Sequence, residues 1–202
     1  MRQTIQWVIM LVLGTMLVAA VVPNFSDAQL RQRLARVHND LAAMCAAVEA
    51  YKVDYGKYPY DGYFIAYPPP GYDHYWGFGY SMTTPVAYID QLRVDPFRED
   101  GDYPVSFMYR YRYTNIRSTW GTDYSSWTQR TSPSPYLDET LAYWGEYRVL
   151  STGPDGLVGP FNVSWYYNVI PYTGFNLPYD PTNGALSLGD IERSQKFPPY
   201  KR

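Results

Sequence analysis

The sequence predicts an α+β fold: a long N-terminal α-helix, hydrophobic in its first half and amphipathic in its second, packed on a small antiparallel β-sheet head with long Tyr-, Pro- and Gly-rich loops. Three observations predict it. Residues Gln3 to Ser26 carry no charge. Leu34, Val37, Leu41, Met44, Val48, Tyr51 and Tyr55 then recur at alternating spacings of three and four, the period of one helix face. Beyond Gly56 the chain turns Tyr-rich and contains stretches of strict alternation, the period of a strand with one face buried.

The first element is the apolar run. Trp7 to Val22 is apolar apart from Gly14 and Thr15, close to the ~20 residues a helix needs to cross hydrocarbon. Three uses fit such a run: a cleaved secretory signal, a simple membrane anchor, or a helix held in the membrane before assembly and packed against copies of itself afterwards. Ala19-Ala20-Val21-Val22-Pro23 offers no A-x-A cleavage site, and Arg2 alone makes a weak basic flank, which disfavours the first. Gly14 and Pro23 bracket a stretch where helix is cheap to interrupt, since Gly costs about 1 kcal/mol relative to Ala and Pro removes a donor. Local melting between them is expected, against the alternative of a kinked but continuous helix.

The second element continues from the first. Arg31, Arg33, Arg36, Asp40, Glu49 and Lys52 fall outside the apolar stripe, and Gly56-Lys57-Tyr58-Pro59 closes the helix. Together the two parts extend about 80 Å at 1.5 Å per residue, more than a domain of this size needs internally, so a partner is implied. The expected organisation is a hydrophobic segment at 1–23, an amphipathic helix at 24–56 and a head at 57–202.

Subtracting a helix of about 55 residues from 202 leaves about 145, enough for one compact domain. Within it Ser106 to Tyr113 alternates, with Phe107, Tyr109, Tyr111 and Tyr113 on one face and Met108, Arg110 and Arg112 on the other. Glu146 to Ser151 gives a second strand, Tyr147 and Val149 opposing Arg148 and Leu150. Val163 to Ile170, rich in aromatics, gives a third strand or an ordered arm. The sheet should cover Leu41, Met44, Val48 and Tyr51. Segments 60–80 and 114–137 are rich in Pro, Gly, Ser and aromatics and are read as ordered loops, because disordered chains are poor in aromatics. The 23 tyrosines supply contact area with a polar tip, suited to subunit contacts or to stacking on sugar faces.

Charge and chemistry exclude several classes. A net charge of −2 with no run of Lys or Arg after the helix argues against nucleic acid. Cys45 is the single cysteine, so no intramolecular disulfide forms, and its place in the Ala-rich helix reads as buried packing. His38 lies among helix charges and His74 in an aromatic loop, with no HExxH, nucleophile elbow or phosphate-cradling loop. Asp100 and Asp102 flank a turn glycine, and Asp138-Glu139 reads as a helix start rather than an acid/base pair. No catalytic residue is assigned.

Several patches carry a family resemblance. Gly14, Ala19-Ala20-Val21-Val22-Pro23-Asn24-Phe25 and the Ala-rich helix ending Tyr55-Gly56-Lys57-Tyr58-Pro59 resemble the N-terminal half of type IV pilins and type II secretion pseudopilins. Leu92-Arg93-Val94-Asp95-Pro96-Phe97 is similar to the LPxDPW/F signature of the major, G-type pseudopilin. Ser151-Thr152-Gly153-Pro154-Asp155-Gly156 and Gly189-Asp190-Ile191 resemble that family's calcium loop. The patches follow the family's order along nearly the whole chain.

The resemblance implies a structural subunit, either a pilin or a pseudopilin, that polymerises into a helical filament. Gln6, Trp7, Gly14, Pro23 and Phe25 would lie in the filament core. The implied partners are copies of itself, the inner membrane before assembly and an assembly machinery; the implied location is the cell surface or an extracellular filament. The alternative is a membrane-anchored monomeric module binding glycans through its aromatic loops. One departure matters. The family pairs a glutamate at mature position five with a neighbour's terminal amine, and the chain, beginning Met-Arg-Gln without a visible leader, has Gln6 or Ile5 there. A Gln6 hydrogen bond or a neutral terminus would have to replace that ion pair.

The resemblance also implies a calcium site. Calcium takes six to eight hard oxygens from carboxylates, carbonyls and amides. Asp155 and Asp190 match two acids of the family's loop and Ser187 a further ligand, whereas Gly189 replaces the first acid of a pair. Asp180 or Asn183, in the inserted segment, is expected to restore the missing oxygen. The competing reading is a pair of ordinary turns at Pro154-Asp155-Gly156 and Asn183-Gly184.

Overall fold

The computed structural model describes residues 2–61, 78–98, 110–121, 133, 137–156, 179–187 and 189–196, without the side chains at 2, 17–25, 80, 119 and 120. Its first element, α1 (Arg2–Tyr55), has 54 residues and runs through Gly14 and Pro23 as helix. It stops where the chain turns left-handed: Gly56 has φ +70°, its amide donates to the Lys52 carbonyl at 2.9 Å, and Lys52 Nζ reaches the Gly56 carbonyl at 2.7 Å. The chain divides into two compact units, Met1–Ala35 and Arg36–Arg202.

The first unit is helix alone. Ile5, Trp7, Val8, Ile9, Met10, Leu11, Val12, Leu13 and Met16 are all exposed, on every side of the cylinder.

In the second unit the predicted helix face forms one wall of the core. Val37, Leu41, Met44 and Val48 are buried to 1% exposure or less, while Tyr55, at the end of the stripe, stays 46% exposed and stacks on Tyr51 at 4.4 Å. The facing wall is a three-stranded antiparallel sheet, β1 (Arg112–Asn115), β2 (Tyr147–Ser151) and β3 (Ile191–Ser194), in that order. Tyr113 pairs with Val149, and Val149 with Arg193. Tyr111, Tyr113, Tyr147, Val149 and Ile191 are buried, as alternation requires of a face turned to a helix. Hydroxyls tie the walls together: Tyr111 Oη donates to Asp40 Oδ2 at 2.9 Å, and Tyr113 Oη to the Pro59 carbonyl at 2.9 Å. Asp40, assigned from spacing to the outer charges, is therefore buried.

The strands differ from expectation in position. Val94 makes an isolated bridge with Arg110, and regular pairing among the described residues runs over Arg112–Asn115; of the expected strand Ser106 to Tyr113, residues 106–109 lie outside the described set. Residues 114–115, expected in a loop, complete β1, and Ile116–Trp120 is a short helix, α2. Asn115 accounts for the switch. Its side chain accepts from the Ser118 amide at 3.2 Å as an N-cap, while its Nδ2 donates to the Pro59 carbonyl at 2.9 Å. The buried Asp61 holds the same corner, accepting from the Asn115 amide and from Ser118 Oγ, both at 2.8 Å.

The second strand agrees with its predicted span to one residue. Among the described residues the third strand is the segment after Asp190; Val163 to Ile170, expected as a strand or an ordered arm, lies outside the described residues along with most of the 60–80 and 122–136 loops. Asp138-Glu139 does open a helix, α3 (Leu137–Trp144), with both acids in the first turn where the helix dipole favours them. Leu137 and Leu141 pack there against Ile116 and Trp144.

Candidate functional site

The segments that carry the calcium-loop resemblance meet in space. β2 and β3 pair Ser151 with Ile191, so the turn after Ser151 starts beside Asp190. Gly153 has φ +70°, and a Cβ there would sit 2.4 Å from the Gly189 carbonyl oxygen, so only glycine fits against that strand. The turn closes with the Gly156 amide donating to the Gly153 carbonyl at 3.1 Å, and Asp155 is half-buried within it.

Asp95 anchors the turn. It is fully buried, its Oδ1 accepting from Ser151 Oγ at 2.9 Å and from the Phe97 amide at 3.0 Å. Its Oδ2 accepts from the Thr152 amide at 2.9 Å and from Thr152 Oγ1 at 3.2 Å. Burial pushes this carboxyl above the usual carboxylate range, and the four donors pull it part of the way back.

The inserted segment brings Asp180, Asn183 and Ser187 into the same neighbourhood, because the Tyr179 amide donates to the Asp190 carbonyl at 2.9 Å. Their polar atoms largely serve one another. Asp180 Oδ1 accepts from the Thr182 amide at 2.8 Å and its hydroxyl at 2.7 Å; Oδ2 accepts from Asn183 Nδ2 at 3.4 Å. Ser187 Oγ accepts from the Asp180 amide at 2.8 Å. Among the described residues no three His, Cys, Asp or Glu side chains gather at one point.

Asp190 is 1% exposed and lies on a sheet face rich in arginine. The register places Arg112 beside Leu150 and Leu150 beside Glu192, and Arg148 Nη1 stands 3.9 Å from Glu192 Oε2. Arg148 also lies 4.1 Å over the Trp144 ring, whose Nε1 donates to Glu192 Oε2 at 3.2 Å. Burial brings the Arg112 guanidinium down to about 10, as do the charges of Arg98 and Arg148, while Asp190 pulls it back up.

Of the assembly residues, Gln6 is exposed and Trp7 is 70% exposed. Gly14 lies in the helix with open space where a Cβ would stand. Pro23 and Phe25 are helical in backbone, their side chains outside the described set. Among the described residues no helix is long and apolar enough to cross a membrane; side chains that complete the expected run fall among those not described. A polar cleft of about 260 Å³ opens elsewhere, where Arg36, Asp40, Asp90 and Arg93 meet.

Compared with protein-family models, with curated proteins and with solved structures, the chain gives no match. The roles of Asp95, Asp61, Arg112 and Arg148 escaped the sequence reading. The arginines alternate with apolar residues and so read as the outer face of their strands, and Asp95 stands out only within a motif resemblance that names no partner for it; a buried acid leaves a signal in the chain only when its distant donors are known.

Proposed function

We propose that the chain is a structural filament subunit of the pilin or G-like pseudopilin type, whose N-terminal helices bundle into a fibre core while the sheet-bearing heads form the outer layer. One observation carries the reading: Ile5, Trp7 to Leu13 and Met16 are 43–70% exposed around the whole circumference of α1. An apolar cylinder of that kind is unfavourable in water by roughly 25 cal/mol per Å² and has to be enclosed by lipid or by other helices. Lipid holds it before assembly, in the inner membrane, and sibling helices enclose it afterwards at the cell surface or in an extracellular filament.

A second reading has one observation in its favour. Tyr51, Tyr55 and Tyr88 form a ring cluster with centroids 4.4 to 6.5 Å apart beside Asp54, and Tyr55 is 46% exposed. Such a cluster suits a membrane-anchored monomeric module that stacks on sugars. Electron microscopy of the purified full-length chain after detergent removal tests the choice. Fibres with a helical core support the subunit; their absence, together with a strictly monomeric species that binds glycans when kept in detergent, overturns it.

A further inference from the structure

We infer that Tyr55, Tyr88 and Asp54 form a saccharide subsite at the end of α1, in which the open side of the Tyr55 ring carries a pyranose and Asp54 accepts from its hydroxyls.

Two fixed elements build the site. Tyr51, Asp54 and Tyr55 fall on one side of the last turns of α1, just before the stop at Gly56. Against them the chain from Met82 to Ile89 forms a closed loop, because the Met82 carbonyl accepts from the Tyr88 amide at 2.9 Å and from the Ile89 amide at 3.1 Å, and both Met82 and Ile89 are buried. That closure delivers Tyr88 to the helix end. Its ring meets Tyr51 at 5.5 Å and Tyr55 at 6.5 Å, edge to face, and its hydroxyl donates to Asp54 Oδ2. Rings held in this way lose little freedom when a ligand arrives, which removes part of the cost of binding.

What stays open defines the ligand. Tyr51 is buried and stacks on Tyr55 at 4.4 Å, yet Tyr55 keeps 46% exposure, so the side of its ring away from Tyr51 meets solvent. Asp54 is exposed as well; Tyr88 occupies its Oδ2, and no donor among the described residues takes Oδ1. An aromatic face is electron-rich and attracts polarised C–H bonds, and a carboxylate oxygen takes hydroxyl donors. A pyranose presents both, a face of C–H bonds and hydroxyls around its edge. The size also suits one sugar ring, since a stable protein partner would cover about 800 Å² on each side, far more than one ring face and one carboxylate.

The subsite rests on the sugar-stacking reading of this cluster and adds to it the ring face and the acceptor. Assembly is a separate matter: fibres that bind sugar through Tyr55 keep the subsite while removing the monomeric module. Saturation-transfer-difference NMR on the full-length chain tests it, in a polyoxyethylene detergent free of sugar headgroups. The probes are the methyl glycosides of glucose, galactose, mannose and N-acetylglucosamine, with tetramethylammonium as the competing cationic chemistry. We expect saturation on the C–H protons of one ring face of at least one glycoside, at roughly millimolar affinity. Tyr55→Ala should weaken binding by about tenfold or more and Asp54→Asn by several-fold, whereas Tyr55→Phe, which keeps the ring, should bind like the wild type. Sugar binding that neither Tyr55→Ala nor Asp54→Asn weakens overturns the subsite and leaves a sugar-binding module elsewhere on the chain. Absence of saturation from all four glycosides overturns both, and binding of tetramethylammonium alone makes the cluster a cation site instead. Should Tyr55→Ala fail to fold, Asp54→Asn, at an exposed position, decides.

Discussion

The backbone amide of Thr152 donates to Asp95 Oδ2 at 2.9 Å across a sequence separation of 57, inside a buried site. Asp95 thereby fastens the segment before β1 to the turn after β2, and this one carboxylate accepts four hydrogen bonds from three residues. An asparagine in its place presents an amide to groups that themselves donate. Asp95→Asn should therefore destabilise the chain by about 1–3 kcal/mol, read as a lower urea midpoint at unchanged slope. The pH dependence has a definite sign. Because burial raises the folded-state value above 3.8, the Asp95 contribution is complete below that ordinary value and fades as pH rises through the folded one. The Asn variant should lose that part of the pH slope; an unchanged slope counts against the assignment.

Asp61 organises the opposite corner in the same manner, accepting from the Asn115 amide and Ser118 Oγ where β1 turns into α2. Asp61→Ala leaves both donors buried without that acceptor and should cost about 2–4 kcal/mol. Asn115→Ala removes the helix cap and should cost about 1 kcal/mol plus the bond to Pro59. Chemical denaturation of the two variants checks the order; equal losses contradict it.

Alkaline titration probes the helix–sheet seam. Burial, and next to it the charge of Glu49, pushes the Tyr58 hydroxyl up to about 12, and Tyr111 and Tyr147 are raised by burial as well. These phenols favour the neutral form when folded, so their contribution is whole below the ordinary value of 10 and is lost as pH rises through about 12. Melting temperature should hold to about pH 10 and fall steeply beyond it, with tyrosinate absorbance appearing in step with unfolding. Early, fully reversible titration of every tyrosine contradicts this.

Cys45 is buried in α1 and its thiol is pushed up to about 12, chiefly by burial. Ellman's reagent should leave it untouched in the folded chain and label one thiol per chain in guanidinium. Rapid labelling of the native protein would place Cys45 outside the core.

Leu11 is 70% exposed on the first unit of α1. A carboxylate there is compatible with an isolated helix in water and unfavourable by about 3 kcal/mol in an apolar environment. Leu11→Asp should abolish fibres, with the melting of the head unchanged. Undiminished fibres from Leu11→Asp would remove Trp7 to Val22 from the proposed core.

What could be read along the chain were the features set by near neighbours. The apolar stripe from Val37 to Tyr51, the stop at Gly56, the span of β2, the helix opened by Asp138-Glu139 and the burial of Cys45 each follow from spacing or from a single residue's backbone preference. The head's pairing partners did not follow. Ile191–Ser194 carries little strand pattern of its own, yet it pairs with β2, because register rewards a segment whose alternate residues complete the core face already begun by Tyr147 and Val149. Thr114 and Asn115 read as loop because the acceptor at Asp61 and the carbonyl at Pro59 lie more than fifty residues upstream.

By itself, then, the sequence determined a long helix, apolar first and amphipathic second, joined to a Tyr-rich α+β head, since periodicity and end signals act over a few residues and need no partner. Tertiary structure alone decided that Asp40, Asp61, Asp95 and Asp190 are buried, that Arg112 and Arg148 share a covered sheet face, and that the turn at Gly153 lies against Gly189. Whether a charge is solvated or enclosed depends on segments far apart in the chain, and only folding brings those together.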